Sequence, residues 1–280
     1  MRLLITDLDN TLYDWVSFFA RAFEAMAHEL TKTLELDPQS LFQEFREVHR
    51  KHGDSEYPFA VFELPTVKEK FGTLPEADLK KRLDSSLHAF NSARHRELRL
   101  YDSVETTLKE LSKNNVLVIG YTEALAENAH FRLQKLGIAQ YFHRLYALEA
   151  KIPLPPRATS DTSEKSGFIK RVSRDERKPN PALLTDICAQ EHISLQEACY
   201  VGDSLSRDIL MAQSAGVTSA WAEYGTKYDP SLWGTLVKIS HWTEEDIARD
   251  SELRRQTKAA KPDYIINSFS DLIPIMADEK

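Results

Sequence analysis

Six short apolar runs, each closed by a polar residue or a glycine, set the frame of this chain: Leu3 to Thr6, Val116 to Tyr121, Leu145 to Leu148, Ala198 to Val201, Thr218 to Trp221 and Tyr264 to Ile266. Between most of them the apolar spacing becomes helical, as at Val104, Leu108 and Leu111 or at Leu183, Leu184 and Ile187. Strands that alternate with helices fold into a parallel sheet joined by right-handed crossovers. The expected fold is therefore α/β, with a Rossmann-like parallel sheet. At 280 residues and 42% hydrophobic content, the chain has enough apolar surface to bury a core.

The alternation fails from Asp14 to Arg99. Phe19, Phe23, Met26, Ala27 and Leu30 share a helical face, as do Leu79, Leu83, Leu87 and Phe90, and no strand pattern interrupts them. Thr73, Pro75 and Glu76 have the spacing of a capping box before the second face. Residues 14–99 thus read as a helical second domain, inserted after the first strand of a sheet domain made from 1–13 and 100–280. Residues 149–178 contain three prolines and then Lys165, Lys170, Arg171, Arg174, Arg177 and Lys178, which predicts a long surface loop with a basic end. Residues 225–262 are polar and tryptophan-containing, with a helix expected from Thr243 to about Lys258.

Charge narrows the partners. A net charge of −7 with 28% charged residues of mixed sign gives no long-range attraction for a nucleic acid polymer or an anionic membrane. Cys188 and Cys199 lie in apolar segments and form neither a metal-type pair nor a disulfide framework. The first apolar stretch ends at Asp7, too early for a signal segment, and no run is long enough to span a bilayer, so the cytoplasm is the expected location.

Residues able to do chemistry gather at strand ends, where open parallel sheets bind ligands. Asp7 and Asp9 leave the first strand two residues apart and would repel unless a cation or proton lies between them. A second acidic cluster, Asp203 to Asp208, follows the Ala198 run, with Gly202 allowing a sharp turn. Thr122 brings a hydroxyl to the end of the second strand, and Lys178-Pro179-Asn180-Pro181 puts an ammonium at a helix start. Carboxylate, hydroxyl, ammonium and a hard cation such as Mg²⁺ are what phosphoryl transfer needs: one carboxylate to attack phosphorus, cations to neutralise its oxygens, and a second carboxylate to move the proton.

With DLDNTLYD at the start, Thr122, KPNP at Lys178, GDSLSRD at Asp203, the Tyr224-Gly225 pair and PDYII near the end, the chain resembles the haloacid dehalogenase superfamily. The likeness is to its phosphatase branch with a helical cap after the first motif, in wording similar to pyrimidine 5'-nucleotidase-like and FMN-phosphatase-like members. It implies Asp7 as nucleophile and Mg²⁺ ligand, and Asp9 as general acid and base with its carbonyl on the metal. It also implies Thr122 and Lys178 on the phosphoryl oxygens, Asp203 as metal ligand and Asp208 in support. The substrate would be a small phosphomonoester: a nucleotide, flavin or sugar phosphate. An acid at position 9 argues against dehalogenases and phosphonatases. A phosphotransferase or phosphomutase, and a catalytically silent binding protein, are the alternatives.

Some residues carry a weaker signal. His49, His52, Asp54, Glu56 and Tyr57 crowd one polar stretch, and of these His52, Glu56 and Tyr57 are candidates to read the substrate, against a plain surface loop. Trp15, Phe18 and Phe19 are candidates to wall the site, against ordinary packing. His130 and His143 read as helix-surface residues.

Overall fold

The computed structural model describes residues 1–152, 167–256 and 261–277. Seven strands form one parallel sheet: β1 (Leu3–Thr6), β2 (Leu117–Leu125), β3 (Arg144–Leu148), β4 (Ile169–Val172), β5 (Ala198–Gly202), β6 (Thr218–Ala222) and β7 (Tyr264–Ile266), in the order β4-β3-β2-β1-β5-β6-β7. All six sequence runs appear as strands. β4 is an addition: it lies in the stretch expected to be loop, where a four-residue edge strand with only Ile169 and Val172 apolar gives little pattern to read. Its Arg171 is paired with Glu127 at 2.8 Å, so this part of the basic end is structural. Lys165 lies outside the described residues.

Leu3 and Ile5 of β1 join Ile119, Tyr121, Tyr200, Leu184, Ile187 and Met211 in one buried cluster, and Leu4 between them is equally buried. Both faces of β1 are covered, as a parallel sheet requires. Helix Pro181–Gln190 and helix Leu210–Ala215 supply the cluster's helical side, while helix Ala126–Lys135 packs on β2 and β3. The chain runs from β1 to β2 on one side and returns to β5 on the other, which makes the carboxyl edge of β1 a topological switch point.

The chain divides into two compact units. The sheet unit holds Met1–Asp14, Leu100–Lys227 and Arg249–Lys280. The helical unit holds Trp15–Arg99 and also Tyr228–Ala248, a segment the sequence reading placed with the sheet. Its helix Pro230–Ile239 packs on helices Trp15–Leu34 and Pro38–His52 through Leu232, Leu236 and Ile239. The His49 ring nitrogen Nδ1 lies 2.7 Å from the Ile239 carbonyl, and Ser55 accepts from the His241 amide. Such long-range docking leaves no periodic signature in the segment itself.

Two local expectations change. The helix at Glu76–Arg82 starts from Pro75 without a side-chain cap, so the Thr73–Glu76 capping box does not form. His130 is buried rather than on the surface, its ring tilted against Phe168 at 5.7 Å.

Candidate active site

Pairing registers bring the motif residues to one edge. Thr6 pairs with Gly120 on one side and Val201 on the other, so Asp7, Thr122 and Asp203 leave neighbouring strands almost level. The Asp7 amide continues the ladder by donating to the Val201 carbonyl at 2.9 Å. Beyond it the chain folds tightly, with Leu12 and Thr11 donating to the Leu8 carbonyl and Asn10 donating to Tyr13. Asn10 has φ 55°, a left-handed conformation that asparagine tolerates better than most residues. From the β6 side, the Tyr224 hydroxyl donates to the Thr11 carbonyl at 2.6 Å.

Lys178 is the hub. Its ammonium donates to Asp7 Oδ1 at 2.7 Å and Asp208 Oδ1 at 2.8 Å, buried between the rings of Tyr121 and Tyr200, whose centroids lie 5.1 and 5.5 Å away. Burial opposes the charge on Lys178, but Asp208 and Asp7 outweigh it and raise the ammonium well above its ordinary range. The Lys178–Pro179 bond is cis, and Asn180 caps helix Pro181–Gln190 by accepting from the Leu183 amide.

Asp208 sits in a π-helical turn, Leu205–Ile209, a form frequent at functional sites. Its Oδ1 also accepts from the Tyr200 hydroxyl at 2.9 Å, and Oδ2 accepts from the Ser204 amide at 3.0 Å. Both oxygens are therefore engaged in holding Lys178 and the β5 turn. Gly202 is required here, because a Cβ would stand 2.4 Å from the Asp208 carboxyl carbon.

Asp7, Asp203 and Asp208 each offer an oxygen within 4.8 Å of one another. Burial, then Lys178 acting in the opposite sense, then Asp208 and Asp9, leave the Asp7 carboxyl raised to about 7. Burial followed by Asp208 and Asp7 puts Asp203 well above the usual carboxylate range. Three carboxylates facing one ammonium form a set short of positive charge, and their hard oxygens suit a divalent ion such as Mg²⁺. With Asp208 already satisfied by donors, Asp7 and Asp203 are the side chains that fit the ion.

Asp9 turns elsewhere. Its Oδ1 accepts from the Tyr13 hydroxyl at 2.7 Å and from Arg132 Nη1 at 2.8 Å. Arg132 was not singled out in the sequence; in helix Ala126–Lys135 it reads as one more charged surface position, yet it is 1% exposed. Thr122 is buried within β2, where the register shifts before Leu125, and its hydroxyl accepts from the Ala124 amide at 3.1 Å. Next to it, Glu123 accepts from Arg207 at 3.1 Å.

The candidates to read the substrate or wall the site lie in the helical unit. His52 is stacked on Tyr57 with ring centroids 3.5 Å apart, and its Nε2 lies 2.9 Å from Glu63. Glu56 accepts from the Trp15 indole at 2.8 Å, and Trp15 stacks on buried Phe19. These side chains are engaged in the unit's own structure.

A model of the haloacid dehalogenase-like hydrolases matches residues 1–216, and a second HAD-like model matches 176–272. The chain belongs to the haloacid dehalogenase-like hydrolase family. Curated relatives include named phosphatases. A glyceraldehyde 3-phosphate phosphatase of Methanopyrus kandleri is 26% identical over 82% of this chain and 87% of its own. A phosphoglycolate phosphatase of Vibrio parahaemolyticus is 23% identical over 99% and 96%. The fold recurs in a 2-haloacid dehalogenase of Pseudomonas syringae at 20% identity, with TM-score 0.59 and 99% and 98% of the two chains covered. This is a HAD-superfamily phosphatase, an α/β enzyme in which none of the described helices is long and apolar enough to cross a membrane.

Proposed function

We infer that this phosphatase is a Mg²⁺-dependent phosphomonoesterase that works through a phospho-aspartate on Asp7. The observation that carries the reading is the placement of the Asp7 carboxylate at the switch point, 2.7 Å from the Lys178 ammonium and beside Asp203.

In the first half-reaction an Asp7 carboxylate oxygen bonds to phosphorus as the bond from phosphorus to the ester oxygen breaks, and Asp9 gives its proton to that oxygen. Lys178 and the Thr122 hydroxyl, which can donate its proton while its oxygen accepts from the Ala124 amide, hold the phosphoryl oxygens. In the second, Asp9 takes a proton from water as the water oxygen bonds to phosphorus and the Asp7–phosphorus bond breaks. Inorganic phosphate and the free carboxylate result. Mg²⁺, held by Asp7, Asp203 and the Asp9 main-chain carbonyl, would neutralise charge on the phosphoryl oxygens. Asp208 keeps Lys178 in place.

The substrate is proposed to be a small, soluble phosphomonoester such as a nucleotide, flavin or sugar phosphate, handled without a nucleic acid polymer or a membrane. Support comes from two relatives named for small phosphoesters and from the absence of a net basic charge. His52, Glu56 and Tyr57 remain the proposed selectivity residues. The test is phosphate release over a metabolite panel with Asp7→Asn as blank. Release from small esters by the wild type alone is the expected result, whereas release confined to a phosphoprotein or a nucleic acid end would overturn the substrate class.

A further inference from the structure

Arg132 is among the largest fully buried side chains of the molecule, and a buried guanidinium is costly unless it is paired and hydrogen-bonded. One partner is a carboxylate of the first motif: Nη1 donates to Asp9 Oδ1 at 2.8 Å, and the guanidinium carbon lies 5.9 Å from the centre of the Tyr13 ring. The Tyr13 hydroxyl donates to the same oxygen at 2.7 Å. Two donors on one oxygen fix the rotation of the carboxylate and leave Oδ2 as the oxygen available for proton exchange. The donors are themselves held. Helix Ala126–Lys135 packs on β2 and β3, and the Tyr13 main chain is bridged to Leu100. The Asp9 side chain keeps 23% exposure while the Arg132 side chain keeps 2%, so the pair is sealed on the arginine side and open on the aspartate side.

A buried ion pair adds little net stability compared with apolar residues of the same volume, so this one is better explained by orientation than by folding energy. The geometry points to Arg132 as a positioning residue for proton transfer, which together with Tyr13 anchors Asp9 Oδ1 so that Oδ2 is the oxygen presented to the ester and then to water. The inference rests on the reading of Asp9 as the acid and base. In the first half-reaction the proton leaves Asp9 Oδ2 for the ester oxygen as the bond from that oxygen to phosphorus breaks; in the second it returns to Oδ2 from the attacking water.

The experiment compares an alkyl phosphate, whose leaving alkoxide needs the proton, with p-nitrophenyl phosphate, whose nitrophenolate leaves without one. Rates are read as single-turnover release of alcohol or nitrophenol, so that the later water step does not mask the first. Arg132→Met is expected to slow the alkyl ester roughly 100-fold, the scale of a misplaced catalytic group, with KM little changed and a loss of less than about 10-fold on the aryl ester. Arg132→Lys should recover part of the loss. The double variant Asp9→Asn/Arg132→Met should be no slower than Asp9→Asn alone, because residues acting as one unit are not additive. Equal losses on both esters, or additive losses in the double variant, would reduce Arg132 to a structural role and overturn the inference. If Arg132→Met does not fold, Tyr13→Phe decides: a smaller loss confined to the alkyl ester is expected, and no loss on either overturns the proposal. Full alkyl ester turnover by Asp9→Asn would instead remove Asp9 from proton transfer, which separates failure of the underlying reading from failure of this one.

Discussion

The Lys178 ammonium donates to Asp7 Oδ1 at 2.7 Å with both side chains buried, so the proposed nucleophile and its cation form one unit withdrawn from water. Two substitutions separate their roles. Asp7→Asn keeps the shape and a hydrogen-bond acceptor for Lys178, and is expected to fold while losing three orders of magnitude or more of turnover, roughly the cost of deleting a nucleophile. Lys178→Met also leaves Asp208 buried without its cation, which costs roughly 3–5 kcal/mol when one partner of a buried pair is removed. Its melting temperature should fall where that of Asp7→Asn does not. Thermal unfolding beside phosphate release checks both, and retained turnover in a clean Asp7→Asn preparation would defeat the phospho-aspartate mechanism.

The shortage of positive charge around Asp7 and Asp203 predicts a metal dependence. EDTA should abolish phosphate release, Mg²⁺ should restore it, and Ca²⁺, which prefers more ligands at longer distances, should substitute poorly. Binding should also register without turnover, because a ligand that binds only the folded state raises its stability, by about 2.7 kcal/mol at a hundred times Kd. A Mg²⁺-dependent rise in melting temperature is therefore expected in the wild type and should be lost in Asp203→Asn. An equal rise in both would move the ion away from Asp203.

Gly225 tests how tightly the first motif is held. A Cβ there would stand 1.8 Å from the Asn10 carbonyl oxygen and 3.0 Å from the Asp203 Cβ, so Gly225→Ala must displace the turn that carries Asp9 and Asn10. The expected outcome is a fall in kcat together with a stability loss of roughly 1–3 kcal/mol, the cost of forcing extra volume into a packed site. Gly234→Ala is the control. Gly234 lies in helix Pro230–Ile239 with nothing within 4 Å of its Cβ position, so alanine should stabilise the protein by about 0.5–1 kcal/mol and leave turnover unchanged.

The residues whose convergence could be read in the sequence are those at strand ends. Leu3 to Thr6 followed by Asp7, and Ala198 to Val201 followed by Gly202 and Asp203, carry an apolar run and a chemical group within a few positions of one another, and the sheet converts that adjacency into convergence. Lys178 was legible because its prolines mark a helix start. Arg132 was not, since the carboxylate it pairs with lies 123 positions away and helical periodicity gives a charged residue no inward sign. The same reason hid the membership of Tyr228–Ala248: Leu232, Leu236 and Ile239 form an apolar stripe, but a stripe does not name the helices it packs on. β4 was lost because Lys170 and Arg171 interrupt its apolar ends in a run of only four residues.

That hidden segment gives the helical unit a pH dependence of its own. His49 is 2% exposed, with its Nδ1 2.7 Å from the Ile239 carbonyl, and burial is the main cause that brings its imidazole down to about 4, with His52 adding to the shift and the carbonyl opposing it. An unfolded histidine titrates near 6.5, so between these values the unfolded chain binds the proton that the folded chain refuses. The contribution is complete above the unfolded value, declines as the pH falls, and is gone once the pH has dropped through the folded one. At about 1.4 kcal/mol per unit, the decline amounts to roughly 3 kcal/mol. Denaturant unfolding of the wild type from pH 7 to pH 4, followed by tryptophan fluorescence, should show this loss on top of the protein's general acid response. His49→Asn keeps an N–H for the Ile239 carbonyl but cannot titrate, so it should start less stable because of the lost ring volume and then decline less across the same window. Parallel pH profiles for the two proteins would show that His49 is not the group responsible.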